Sequence, residues 1–89
     1  MSQLTEYRKE IDRIDRELTR LVEHRFKLAR KVAEYKAQND LPILDASREE
    51  VVIQRNQARL EDTEYSAEIA TFYQHLMAIS KAIQAKQID

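Results

Sequence analysis

The 89 residues are expected to form one domain, and a chain this short buries only a modest part of its surface when it folds alone. The absence of cysteine excludes a disulfide framework and a thiolate metal site, while zero Gly, one Pro and 35% charged residues suit a nearly all-helical chain without sheet. Fifteen basic against sixteen acidic residues give a net charge of -1, so nothing in the overall charge points to nucleic acid, and any anion site must be a local cluster of Arg and Lys.

The first helix is predicted over about 3–38. Its apolar side chains fall at Leu4, Tyr7, Ile11, Ile14, Leu18, Leu21, Leu28, Val32 and Tyr35, in alternating steps of three and four, with Arg25 as the exception. Charged residues occupy most of the positions between them, and no Gly or Pro interrupts the run. Such a helix reaches roughly 50 Å, about twice the diameter of a compact chain of this size. It cannot cover its own stripe, so a second copy of the chain is the expected partner. The N-terminus has no basic segment followed by an apolar core, and no apolar run spans a bilayer, which predicts a cytoplasmic protein without a membrane partner.

Asn39 and Asp40 weaken the helix, and Leu41, held before Pro42, turns the chain. A short loop follows, with Ile43 and Leu44 expected to tuck down. Asp45 or Ser47 caps a second helix over about 46–60: Ser47 has Glu50 three residues on, as in a capping box, and Asp45 is preferred. Val52, Ile53, Asn56 and Leu60 form its inner side. Glu61, Asp62 and Thr63 make the next break, and a third helix is predicted over about 64–86, with the apolar row Ile69, Phe72, Leu76, Ile79 and Ile83. The expected fold is therefore all-α, three helices that are long, short and long.

Polar residues break this pattern. Arg25 shares its heptad position with Leu4, Ile11, Leu18 and Val32, where an unpaired charge costs several kcal/mol. It is either a polar device that sets register, a buried ion pair, or half of a site. Lys36 lies on nearly the same face, roughly 16 Å further along the axis, so the two long side chains can converge on an anion of metabolite size. Arg8 lies about 25 Å from Arg25 and cannot reach that ligand within its own helix, whereas in an antiparallel dimer the partner's Arg8 can. Asp45, Arg48, Glu49 and Val52 share one side at the start of the second helix, and Ser80 and Gln84 sit four residues apart beside the third helix's apolar row. Taken one by one, these are ordinary caps and solvated borders. Together, with the excess cationic, they point to a small polyanion. His24 and His75 lack a second ligand at metal spacing, no Ser-His-Asp arrangement is present, and a Gly-rich loop is impossible, so neither metal, cofactor nor nucleophile is expected. Tyr7, Tyr35, Tyr65 and Tyr73 read as edges of the core.

Arg8, Arg25, Lys36, the 42–49 segment with Asp45, Arg48 and Glu49, and the pair Ser80 and Gln84 resemble the all-helical chorismate mutases, the class that forms an intertwined antiparallel homodimer. The resemblance covers essentially the whole chain, including Arg8-Lys9-Glu10-Ile11-Asp12 and Glu23-His24-Arg25, and a single-function form is expected. It implies the rearrangement of chorismate to prephenate, on the way to phenylalanine and tyrosine. In this pericyclic shift one carbon-oxygen bond breaks as a carbon-carbon bond forms, without proton transfer or covalent intermediate. The resemblance further implies that Arg25, Arg48 and the partner's Arg8, helped by Ser80, hold the two carboxylates of the dianionic substrate. Lys36 and Gln84 would face the ether oxygen, and Glu49, with a backbone N–H near Asp45, the ring hydroxyl. Two other readings compete with this one: an isochorismate-pyruvate lyase of the same fold, and a non-enzymatic helical dimerisation module in which Arg25 only sets register.

Overall fold

A computed structural model of the chain describes residues 2–42 and 46–86. The expectations placed on Ile43, Leu44 and Asp45 lie outside these residues. Among the described residues there are three α-helices and no strand: α1, Gln3–Gln38; α2, Ala46–Ala58; and α3, Ser66–Lys86.

Local chemistry sets the ends of α1. Ser2 caps its N-terminus, accepting a 3.2 Å hydrogen bond from the Thr5 N–H. At the other end Asp40 takes φ 55°, the Leu41 N–H donates to the Lys36 carbonyl at 2.8 Å, and the Asp40 N–H reaches the Ala37 carbonyl. This is a Schellman cap made without glycine, with Asp40 in the left-handed position. Asn39 adds a side-chain bond to the Tyr35 carbonyl at 2.8 Å.

Two boundaries differ from the sequence expectation. α2 stops at Ala58 rather than running to 60, because Arg59 and Leu60 turn back with N–H bonds to Asn56 and Gln57. Glu64 and Tyr65, expected to open the third helix, instead belong to a 3₁₀ turn, Thr63–Tyr65, where the Asp62 carboxylate accepts from the Glu64 N–H at 3.0 Å. That bond, only two residues long, tightens the turn before α3 begins. Gln57 then ties the end of α2 to α3 through the Ser66 carbonyl.

α3 packs against both other helices, and the chain measures 57 × 25 × 15 Å. Its buried apolar side chains include Ala33, Leu76 and Met77. The third-helix row is shifted from the expected one: Met77 and Ser80 turn inward beside Leu76, while Phe72 and Ile79 are exposed. The reason is geometric. α3 faces α1 and α2 at once, so the strip covered by both is centred on Leu76, Met77 and Ser80 rather than on the full apolar row. Along α1 the stripe is largely uncovered, from 42% exposure at Leu18 to 61% at Ile14 and Tyr35. The accessible surface of 7336 Å² compares with about 5,500 Å² for a compact protein of this mass. The radius of gyration is 16.4 Å, against about 12 Å for a compact chain. Among the described residues no helix is long and apolar enough to cross a membrane.

Candidate active site

The same residue spacing recurs on two helices and builds one concave wall each. On α1, Arg25, Leu28, Ala29, Val32 and Lys36 share a face; on α3, Met77, Ser80, Lys81 and Gln84 do the same. The opening of α2 contributes Arg48, Glu49 and Val52. Together they line a cavity of about 370 Å³, a size that fits a small metabolite. Its floor is apolar, from Leu28, Val32, Val52 and Met77. Arg25, Lys36, Arg48 and Lys81 set four cations against the carboxylate of Glu49, leaving three positive charges in excess.

Hydrogen bonds fix several of these groups. Arg25 Nη1 donates to Ser80 Oγ at 3.1 Å, and Ser80 Oγ donates in turn to the Leu76 carbonyl one turn back at 2.9 Å. The serine hydroxyl has one proton, which Leu76 takes, so toward Arg25 it is an acceptor. The arginine that broke the apolar stripe is thus half-buried and anchored rather than stranded. Gln84 Nε2 donates to the Ala29 carbonyl at 3.2 Å. A carbonyl can only accept, which fixes the amide with its NH₂ group toward α1 and leaves a second N–H to offer. Lys81 Nζ pairs with Glu49 Oε1 and joins α3 to α2.

Of the eight residues singled out from the sequence, six line this cavity: Arg25, Lys36, Arg48, Glu49, Ser80 and Gln84. Arg8 does not. It is exposed on the N-terminal half of α1, seventeen residues and about 25 Å from Arg25. Asp45 falls outside the described residues. Lys81 is a cavity residue that the sequence pattern did not single out, although its place between Ser80 and Gln84, one and three residues away, puts it on the same border of α3. His24 and His75 are both exposed, and no cluster of three or more potential metal ligands occurs among the described residues. A second hollow, between Phe26, Lys27 and Arg30 of α1 and Ile83 and Lys86 of α3, takes nothing from α2.

An all-helical fold with a cationic, metabolite-sized cavity between three helices defines the class: a small helical protein with a positively charged pocket. Residues 7–85 match the family model for chorismate mutase type II. The chain is 32% identical over 90 residues to a chorismate mutase from Methanocaldococcus jannaschii, a match covering 100% of this chain and 91% of that protein. It is 46% identical over 55 residues to a bifunctional chorismate mutase/prephenate dehydratase from Aquifex aeolicus, covering 62% of this chain but only 15% of that longer protein. The fold matches the form II chorismate mutase of Thermus thermophilus with a TM-score of 0.91 at 24% identity, over 97% of this chain and 98% of that one. The chain belongs to the chorismate mutase type II family, a family of isomerases.

Proposed function

We propose that the protein is a chorismate mutase that rearranges chorismate to prephenate, in the cytoplasm, in the aromatic branch that leads to phenylalanine and tyrosine. The observation that carries this reading is the cavity in which Arg25, Lys36, Arg48 and Gln84 converge. The relatives named as chorismate mutases, one of them bifunctional with prephenate dehydratase, agree with the reaction and its metabolic place.

Chorismate is a flexible dianion, and the rearrangement needs its enolpyruvyl side chain folded over the ring. Two carboxylates held at fixed points impose that fold, converting a rare conformer into the bound one. Arg25 and Arg48 hold them, with the partner's Arg8 closing the site from outside. Arginine suits this because its planar fork meets a carboxylate with two bonds. Ser80 contributes by fixing the Arg25 guanidinium. Lys36 and the second N–H of Gln84 face the ether oxygen, where negative charge grows as the carbon-oxygen bond breaks. These donors interact more strongly with the transition state than with the ground state, which is the condition for raising the rate. Glu49 accepts the hydrogen bond of the ring hydroxyl, assisted by a backbone N–H near Asp45. No metal, cofactor or covalent intermediate enters this scheme.

The protein works as an intertwined antiparallel homodimer. What supports this is the uncovered stripe on α1, together with surface some 1,800 Å² beyond that of a compact chain of this mass, when a standard interface takes about 800 Å² from each partner. An antiparallel pairing of two α1 helices also carries Arg8 to the other chain's Arg25 and Lys36. The test is incubation of the purified protein with chorismate, with the product converted by acid to phenylpyruvate. Formation of prephenate is the expected result. Release of pyruvate from isochorismate, with chorismate left untouched, would replace this reading with a lyase.

A further inference from the structure

Lys81 is the charged residue of the cavity that the proposed chemistry does not use, and it forms an ion pair with Glu49. The pair differs in kind from Lys9–Glu6 and Arg16–Asp12, which lie within α1 and stand out in solvent: it bridges two helices, and both of its residues line the cavity. The Lys81 side chain is 42% exposed and that of Glu49 30%, so an attraction of this kind adds little to folding. Its consequence for the site is larger. Glu49 is a carboxylate in a cavity whose other charged lining residues are cations, three of which, Arg25, Lys36 and Arg48, are wanted for a dianionic ligand. A carboxylate free to swing would have no fixed place at which to meet a ligand hydroxyl. Lys81 holds Oε1 of Glu49 and leaves Oε2 to accept a hydrogen bond.

We propose that Lys81 is a positioning residue: it holds the Glu49 carboxylate at the cavity rim as the acceptor for the substrate's ring hydroxyl. This rests on the chorismate reading of the cavity and adds to it the residue that sets recognition of the hydroxyl. The substrate preference should then depend on Lys81 only through Glu49, and only when the substrate carries the hydroxyl.

The experiment is a steady-state comparison of the intact protein with Lys81→Met, Lys81→Arg, Glu49→Ala and the Lys81→Met/Glu49→Ala double variant. The substrates are chorismate and an analogue whose ring hydroxyl is replaced by hydrogen. With chorismate, Lys81→Met should lower kcat/KM by about tenfold, while Lys81→Arg, which keeps a cation in reach, stays within about twofold of the parent. Adding Lys81→Met to Glu49→Ala should change the rate by less than about twofold, and with the analogue Lys81→Met should cost almost nothing. Circular dichroism verifies the helices in each variant, and Lys81→Gln replaces Lys81→Met if the latter fails to fold. Independent, fully multiplying losses from Lys81→Met and Glu49→Ala would overturn the proposal, as would an equal penalty on both substrates. If the unmodified protein turns over neither substrate, it is the chorismate reading that fails; a failed cycle in an active enzyme removes only the role of Lys81.

Discussion

Replacing Gln84 by Glu changes one NH₂ to an oxygen and almost nothing in shape, yet it reverses what the residue can offer. In the parent, one N–H of Gln84 is given to the Ala29 carbonyl at 3.2 Å, and the other is the one proposed to serve the ether oxygen. The ionised side chain of the Gln84→Glu variant donates neither. It sets a carboxylate against the Ala29 carbonyl and against the oxygen where charge builds, and loss of one such donor costs about 2.7–4 kcal/mol, or roughly 10²–10³ in rate. The protonation equilibrium gives the same size: a carboxyl of ordinary pKa about 4.3 is protonated in roughly one molecule in 500 at pH 7, and only that form donates. Turnover by Gln84→Glu should therefore rise about tenfold for each pH unit lowered between about 8 and 5, while the parent stays nearly flat. Even at low pH the variant should remain below the parent, because a single O–H must serve both Ala29 and the ether oxygen. The stability sign follows. A carboxylate facing a carbonyl prefers its proton in the folded state, so its folded pKa lies above the unfolded one and the variant loses stability as pH rises through that range. The assay is kcat/KM against pH, with Tm at each pH as the control. A flat profile at the parent's rate would refute the role of Gln84 at the ether oxygen, and a loss that ignores pH would leave Gln84 only its bond to Ala29.

Three further outcomes are expected from the same geometry. Arg8→Ala and Arg25→Ala chains, each inactive alone, should recover about a quarter of the parent activity when mixed and refolded, since half the dimers are mixed and each has one intact site; no recovery from proven heterodimers would refute a shared site. Ile14→Asp, which puts a charge in the exposed α1 stripe, should convert the protein to a poorly folded or inactive monomer by sedimentation, and an active dimer would contradict the proposed interface. Asp40→Gly should stabilise by about 1 kcal/mol, because a β-carbon is removed from a residue at φ 55° and a negative charge from the negative end of α1. For a domain of this size that raises Tm by roughly 4–8 °C, and an unchanged or lowered Tm would contradict the cap.

The long first helix was legible because its cause is local: thirty-odd residues without Gly or Pro and with an apolar period broken only at Arg25. The turn at Asp40 was legible as a break through Pro42, but not as a left-handed cap, since an aspartate occupies that geometry only when the surrounding hydrogen bonds require it. The 3₁₀ turn at Thr63–Tyr65 was missed because the bond that tightens it, from Glu64 to the Asp62 side chain, competes with a helix start that the same residues allow. On α3, periodicity gives an apolar row but not which part of it two neighbouring helices cover: Leu76 is buried, while Phe72 and Ile79 stay exposed in the single chain. For the site, Arg25 and Lys36 stood out by spacing on one helix, and Ser80 and Gln84 by spacing on another. The distance between those helices is a tertiary quantity, and it is what turns the two pairs into bonds from Arg25 to Ser80 and from Gln84 to Ala29. Lys81 stayed hidden because a lysine at a helix border reads as solvated until the acid on the neighbouring helix is seen.

The most direct test of the central claim is the rate of chorismate rearrangement by the parent protein and by Lys36→Ala, measured on folded samples of matched oligomeric state. In the proposed scheme Lys36 faces the oxygen where charge develops, and its removal spares the arginines assigned to the carboxylates. Prephenate formation by the parent is expected, with a fall in kcat of at least about 10² in the variant and KM changed far less. Equal turnover by parent and variant would contradict the claim, because the cationic cavity would then not be where the reaction occurs.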